Sequence, residues 1–359
     1  MRILVNALSG IGDAIMFSPA LALLKKHLPD SQIDMMVMFR QVEELYKTNP
    51  AIENIYFIDF LKQPKLRSIK QVRALKKNSY DYSLNVYPSN RREYNVVQYL
   101  TGAKKRIAAK YLREAGINLD FLNTALIPEL RNRHNVIENF ELIKQIVPNA
   151  AEDELGDYVI NIPAADTEFA ASYFVENKLN GRFVVGFHAG SATFKGHINK
   201  RWSSFKYAEL AKELNAKYKA NIILFGTEDD VNNSILKEIT TFGFKPKVSG
   251  IMQSLALMKQ CNLFVSNDTA LMHLASGLGI PQVAIFGYTN SRELHPWKNR
   301  HTIVRKELKC SPCFYNSPKP VKCIYEADEE FKCIRTIMVS DVMEACEKLI
   351  EEIPRNIKS

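Results

Sequence analysis

Long apolar runs are missing from this chain. No stretch approaches the roughly 18 uninterrupted apolar residues of a membrane-crossing helix, so none is expected. The start also lacks a signal peptide's layout, because the apolar run Ile3 to Val5 gives way at once to Asn6. A cytoplasmic protein is the expectation. No Asp-x-Asp pair occurs, so a metal chelated against a diphosphate has no obvious ligand set. The first glycine-rich turn has Gly10 and Gly12 but not the full G-x-G-x-x-G fingerprint of dinucleotide sites. Asp34, about 20 residues on, leaves NAD binding open. Short-period repeats, low-complexity tracts and any recognisable nucleic-acid module are lacking, which excludes a solenoid and argues against nucleic-acid partners. Acids are absent from residues 61–80, where Lys62, Lys65, Arg67, Lys70, Arg73, Lys76 and Lys77 all lie.

What is present is an ordinary globular composition: 359 residues, 46% hydrophobic and 24% charged, with a net charge of +9. The length suits two domains, each able to bury a core. Short apolar runs alternate with helical periodicity. Ile3–Val5, Ile33–Met38, Ile55–Ile58 and Tyr82–Val86 read as strands, with helices over Ala14–His27 and 66–77. The pattern weakens over 148–181, where Pro163 starts a connection. It resumes with strands at Phe183–Phe187, Asn221–Phe225, Leu263–Val265 and Gln282–Phe286. Helices are expected at Phe205–Lys217, Ser254–Lys259 and Ala270–Leu278. The fold class is therefore α/β, two Rossmann-like doubly wound domains facing a central cleft. Residues 1–163 form the first domain and 164–338 the second, and the amphipathic helix within 339–359 packs back on the first.

Ligands of such sheets bind at loops after the strands' C-terminal ends. In the first loop, Asp13 follows Gly12. It is either a helix cap or a carboxylate able to take a proton from a substrate hydroxyl. In the second domain, Gly190 lies in a small-residue loop that runs on to Lys200-Arg201-Trp202, a combination suited to a diphosphate. Glu228, just after a strand, suits ribose hydroxyls or the start of a helix. Asp268 and Thr269 open a helix whose free N–H groups favour an anion. His273, one turn after Thr269, is either a core histidine or part of that site. The basic run at 61–80, and a second group at Arg91, Arg92, Lys104, Lys105, Arg106 and Lys110, either form solvated faces or attract anionic glycans or lipid headgroups.

Gly12-Asp13, the His188-Ala189-Gly190 segment leading to Lys200-Arg201-Trp202, and Asn267-Asp268-Thr269-x-x-x-His273 occur in this order. They are followed by Gly279-Ile280-Pro281 and Phe286-Gly287. Together they resemble glycosyltransferase family 9, the ADP-heptose lipopolysaccharide heptosyltransferases. The resemblance implies a GT-B fold and inverting, metal-independent transfer of a sugar, heptose from ADP-heptose by family default, to a lipopolysaccharide core or related glycan. It implies Asp13 as general base, with Gly12, Arg91 and Arg92 towards an anionic glycan or glycolipid acceptor. It places Gly190, Lys200, Glu228, Asp268, Thr269 and His273 on the nucleotide-sugar, and no cofactor is required for catalysis. Contact with the inner face of the cytoplasmic membrane fits such an acceptor. The chain departs from the family in carrying Ala270 where glycine is frequent, and in extra residues from Ser191 to Asn199 before Lys200. A non-catalytic nucleotide-sugar or glycan-binding protein of the same fold is the alternative.

Of six cysteines, Cys310, Cys313, Cys323 and Cys333 fall within 24 residues. They are read as a structural zinc or iron–sulfur site, as disulfides, or as free thiols.

Overall fold

The computed structural model describes residues 1–113, 118–315 and 320–353. The chain divides between Asn161 and Ile162 into two compact units. In the first unit the strands are β1 (Arg2–Ala7), β2 (Gln32–Val37), β3 (Asn54–Phe57), β4 (Tyr82–Asn85), β5 (Lys105–Lys110) and β6 (Ala125–Pro128). They form one parallel sheet in the order β3-β2-β1-β4-β5-β6. The second unit repeats this arrangement. Its strands β7 (Val184–His188), β8 (Asn221–Leu224), β9 (Gly243–Phe244), β10 (Leu263–Asn267), β11 (Gln282–Ile285) and β12 (His301–Val304) are ordered β12-β11-β10-β7-β8-β9. The central strands are buried almost throughout. That burial is what helices on both faces of a parallel sheet require, and it explains the near-continuous apolar runs.

In each unit the sheet grows one way from its first strand and then the other way. The reversal falls between β1 and β4 in the first unit and between β7 and β10 in the second. At such a switch point the loops leaving two adjacent strands diverge and open a crevice.

Several elements differ from the sequence reading. The single helix expected over Ala14–His27 is two, Ile11–Ile15 and Ser18–His27. Pro19 sits in the first turn of the second, the one place where a missing N–H costs no intrahelical bond. Pro163 caps a 13-residue helix, Ala164–Glu176, where a connection was expected. That helix buries only Ala170 and Phe174, so its sequence carries little amphipathic signal. The helix Val339–Glu351 belongs to the core of the second unit, not the first as expected. Val342, Cys346, Leu349 and Ile350 are buried there with Trp202 and Tyr207. The remainder of that segment, 354–359, lies outside the described residues.

Candidate functional site

In the second unit, the loops after β7, β8 and β10 are tied together by side chains that the strands position. Asn267, the last residue of β10, is fully buried. Its Nδ2 donates to the carbonyls of Ala189 (2.9 Å) and Gly190 (3.0 Å), and its Oδ1 accepts from the Trp202 backbone N–H (3.0 Å). One amide thus fixes the Gly190 loop to the Asp268 loop and to the chain after Lys200. Tyr207 adds hydroxyl bonds to His188 O and Asn267 Oδ1. Leaving any of these buried groups unpaired would cost about 1–3 kcal/mol.

Lys200 and Asp268 form an ion pair at 2.7 Å, and Thr289 also donates to Asp268 Oδ2 at 2.7 Å. Burial drives the Asp268 carboxyl up, but the adjacent Lys200 charge outweighs it, and the net shift is below the usual aspartate value. Asp268 is therefore an anion at neutral pH. Burial lowers the His273 imidazole to about 4 despite the pull of Asp268's charge. At neutral pH His273 is uncharged, so it brings no positive charge to a phosphate. It is buried in the helix Ala270–Gly277, on the flank of the Asp268 loop.

Thr269 precedes that helix, but its hydroxyl does not cap it. It pairs instead with His188 Nδ1 at 2.8 Å. The other ring nitrogen of His188 lies 3.7 Å from Glu228 Oε2. Glu228 occupies the N-cap position of the helix Asp229–Glu238, as its reading as a helix-start acid has it, but its side chain makes no capping bond. Its carboxylate lies over two glycines. A Cβ at Gly190 would stand 2.3 Å from the Glu228 carboxyl carbon, and one at Gly226 would stand 2.5 Å from Oε2. Gly226 also has φ near +101°, open to glycine at least cost. Burial raises the Glu228 pKa, but His188 and Arg201 more than offset this, so it too is ionised. Five of the six residues assigned to the donor are thereby carried on the connections after β7, β8 and β10, and His273 follows in the helix Ala270–Gly277.

Two of the residues that organise these connections, Asn267 and His188, were quoted in the sequence motifs without a role. Thr289 was missed entirely. It lies after β11, and nothing in its local sequence marks it as a partner of Asp268.

In the first unit, Asp13 lies in the five-residue helix after β1. The cap position is Gly10, so the reading of Asp13 as the helix cap is not met. Tyr46 pins the end of that helix by donating to Ala14 O at 2.6 Å. Tyr94, on the helix Arg92–Leu100 after β4, donates to Leu8 O at 3.1 Å and joins the two switch-point loops. Burial pushes its hydroxyl up to about 12, Arg91 pulls it down, and Asp13 adds to the rise. The charges of Asp13 and Arg91 therefore both act on Tyr94. Gly12 adjoins Asp13, while Arg92 is exposed and pairs with Glu93 at 3.4 Å. Asp34, the residue that left NAD open, is buried within β2 and accepts from Asn54 and Tyr80. It is committed inside the sheet rather than presented to a ribose.

The second basic group is largely spent on structure. Lys104 pairs with Asp81 at 2.8 Å, and Arg106 donates to the carbonyls of Leu122 and Ala103. Cys310, Cys313, Cys323 and Cys333 line one small pocket with Tyr288, Phe331 and Lys332. Burial, then the neighbouring thiols, raises Cys333 to about 11, so it is protonated at neutral pH. Among the described residues no three Cys, His, Asp or Glu side chains stand in positions to hold a metal ion.

A family model, glycosyltransferase family 9 (heptosyltransferase), matches residues 68–323. Lipooligosaccharide heptosyltransferase 2 of Campylobacter jejuni is 23% identical over 98% of this chain and 99% of its own length. Among solved structures, a family 9 glycosyltransferase from Veillonella parvula superposes with a TM-score of 0.76. It has 20% identity and covers 98% of this chain and 97% of that one. The E. coli ADP-heptose lps heptosyltransferase II superposes at 0.74, also with 20% identity, covering 98% and 99% of the two chains. The two parallel six-stranded sheets are those of the GT-B fold.

Proposed function

The chain belongs to glycosyltransferase family 9, a family of heptosyltransferases, and from that membership we propose inverting, metal-independent transfer of heptose from ADP-heptose to a lipopolysaccharide-core type acceptor. The observation that carries the donor assignment is the convergence of Gly190, Glu228, Lys200, Asp268 and Thr269 on the loops after β7, β8 and β10. Glu228 takes the ribose hydroxyls over Gly190. Asp268 takes hydroxyls of the donor sugar, and Lys200 with the amides at the start of the helix Ala270–Gly277 takes the diphosphate. Neutral His273 supports the Asp268 loop.

Transfer is a single displacement. Asp13 removes the proton of an acceptor hydroxyl as that oxygen attacks the anomeric carbon from the face opposite the nucleotide. The bond from that carbon to the diphosphate oxygen breaks, and the electron pair leaves with ADP. One base and no enzyme nucleophile suffice, so the configuration inverts. Charge developing on the leaving diphosphate is met by Lys200 and helix N–H groups, donors already in place before the reaction. The lack of an Asp-x-Asp pair supports metal independence. Gly12, Arg91 and Arg92 are assigned to an anionic acceptor, and the protein works in the cytoplasm at the inner face of the membrane.

Thermal unfolding with ADP, UDP, GDP, CMP and NAD tests the donor. At about 100 times its Kd, a bound nucleotide adds roughly 2.7 kcal/mol, or about 5–10 °C for a unit of this size. A shift with ADP alone is expected, followed by product formation from ADP-heptose. A shift confined to another nucleotide replaces the donor.

For the cysteine pocket we propose a structural zinc or iron–sulfur group, outside the transfer chemistry. Thiolates bind such groups, so occupancy must displace the thiol protons and rotate the side chains together. Elemental analysis is expected to find stoichiometric zinc or iron that falls with Cys310→Ser. Metal-free protein with four reactive thiols returns the cluster to plain cysteines.

A further inference from the structure

We propose that the segment from Leu61 to Lys77 is a docking surface for an anionic lipid bilayer. The short helix Lys65–Ala74 turns Ser68 and Val72 inward, with Leu75 buried just beyond it. Leu66, Ile69, Lys70 and Arg73 follow the i, i+3, i+4, i+7 spacing of one helix face, opposite that stripe. Leu66 is 82% exposed, Ile69 39%, and Leu61 in the preceding turn 69%. The turn itself is ordered: Asp59 accepts from the backbone N–H groups of Leu61 and Lys62, and Gln63 donates to Ser68 and Gln71. Three aliphatic side chains are thus held out from the surface at defined positions.

The charge around them has one sign. Lys62, Lys65, Arg67, Lys70, Arg73, Lys76 and Lys77 lie within 61–80 without an acid. All seven are exposed, and among the described residues none forms an ion pair. This separates the segment from the second basic group, where Lys104 and Arg106 are committed to protein partners. A solvated helix face would carry no reason for three protruding aliphatic side chains. A protein partner would need a complementary acidic, shaped surface. A bilayer of anionic lipid meets both features at once: headgroups take the unpaired cations, and the acyl boundary takes Leu61, Leu66 and Ile69. Basic side chains with long aliphatic stems suit that depth, since the stem lies in the boundary while the charge stays with the headgroups.

The assignment rests on the reading of a membrane-linked acceptor, but it is tested without that acceptor. Full-length protein is sedimented with vesicles rich in phosphatidylglycerol and with vesicles of phosphatidylcholine alone. Binding to the first, weak binding to the second and release at high salt are expected. Lys70→Glu with Arg73→Glu, and separately Leu66→Ser with Ile69→Ser, are each expected to lower partitioning at least about tenfold. Unchanged thermal unfolding checks that these exposed positions have not disturbed the fold. Failure of the wild type to bind anionic vesicles, or equal binding by the variants, overturns the proposal. So does loss of transfer to a delipidated, soluble acceptor fragment in either variant pair, because the stripe would then belong to the acceptor site. If instead no transfer occurs with the wild type while vesicle binding follows the variants as expected, the docking surface stands and the transfer reading falls.

Discussion

Replacing Asp13 by Asn is expected to lower the turnover of sugar transfer by about 10²–10⁴-fold, while ADP raises the unfolding temperature as much as in the wild type. The size follows from the chemistry. An acceptor hydroxyl is a poor nucleophile until its proton is taken, and an amide of the same shape cannot take it. The retained ADP response follows from location. Asp13 is in the first unit, whereas the proposed nucleotide loops are all in the second. The fold is expected to survive, because the Asn side chain keeps the size of Asp and Gly10, not Asp13, occupies the cap of that helix. Tyr94 offers a second readout. Its hydroxyl feels the Asp13 charge, so the variant is expected to lower the Tyr94 pKa relative to the wild type, measured by ultraviolet titration. Wild-type turnover in Asp13→Asn would remove the base assignment and leave the alternative of a binding protein.

The Lys200–Asp268 pair is expected to separate stability from function. Lys200→Met leaves a buried carboxylate with Thr289 as its remaining hydrogen-bond donor among the described residues, and loss of one partner of a buried pair costs about 3–5 kcal/mol. For a unit of this size that is a fall of roughly 6–20 °C in unfolding temperature. Adding Asp268→Asn removes the stranded charge and is expected to recover most of the stability, but not the transfer activity, because both proposed donor contacts are then gone. Recovery of transfer in the double variant would show the pair to be scaffolding. The sign of the acid response follows from the same geometry. The folded Asp268 pKa lies below its ordinary value, so its contribution is present above about pH 4 and is lost as pH falls through the lowered value. Denaturant titrations of wild type and Asp268→Asn across that range should show this limb in the wild type alone.

The strands at the centre of each sheet were legible because they are buried on both faces and read as plain apolar runs, as at Leu4-Val5 and Phe264-Val265. Three of the four edge strands, β6, β9 and β12, were not, nor was β5 beside β6, whereas the edge strand β3 was read from Ile55–Ile58. β5 begins and ends in lysine, β6 ends in proline, β9 has two residues, and β12 opens on His301 and Thr302. A strand with one open side does not need the apolar pattern that would announce it.

Charge was legible as composition but not as availability. The two basic groups of the first unit look alike in sequence, yet Lys104 and Arg106 find protein acceptors while the seven bases of 61–80 find none among the described residues. Pairing depends on which acids and carbonyls the fold brings near: Ala103 is 3 residues from Arg106, but Leu122 is 16 away, and Asp81 is 23 from Lys104.

By itself, the sequence determined the α/β class, the doubly wound repeat, and the loops on which chemistry would sit. These follow from local periodicity and from small or acidic residues placed just after apolar strands. Only the tertiary structure decided which side chains on those loops meet. Lys200 and Asp268 are 68 residues apart, His188 and Thr269 81, and Asn267 reaches back 78 to Ala189. Such partners are set by strand order: β7 and β10 become neighbours only because the sheet reverses its direction of growth there, and that reversal leaves no mark on any short stretch of chain.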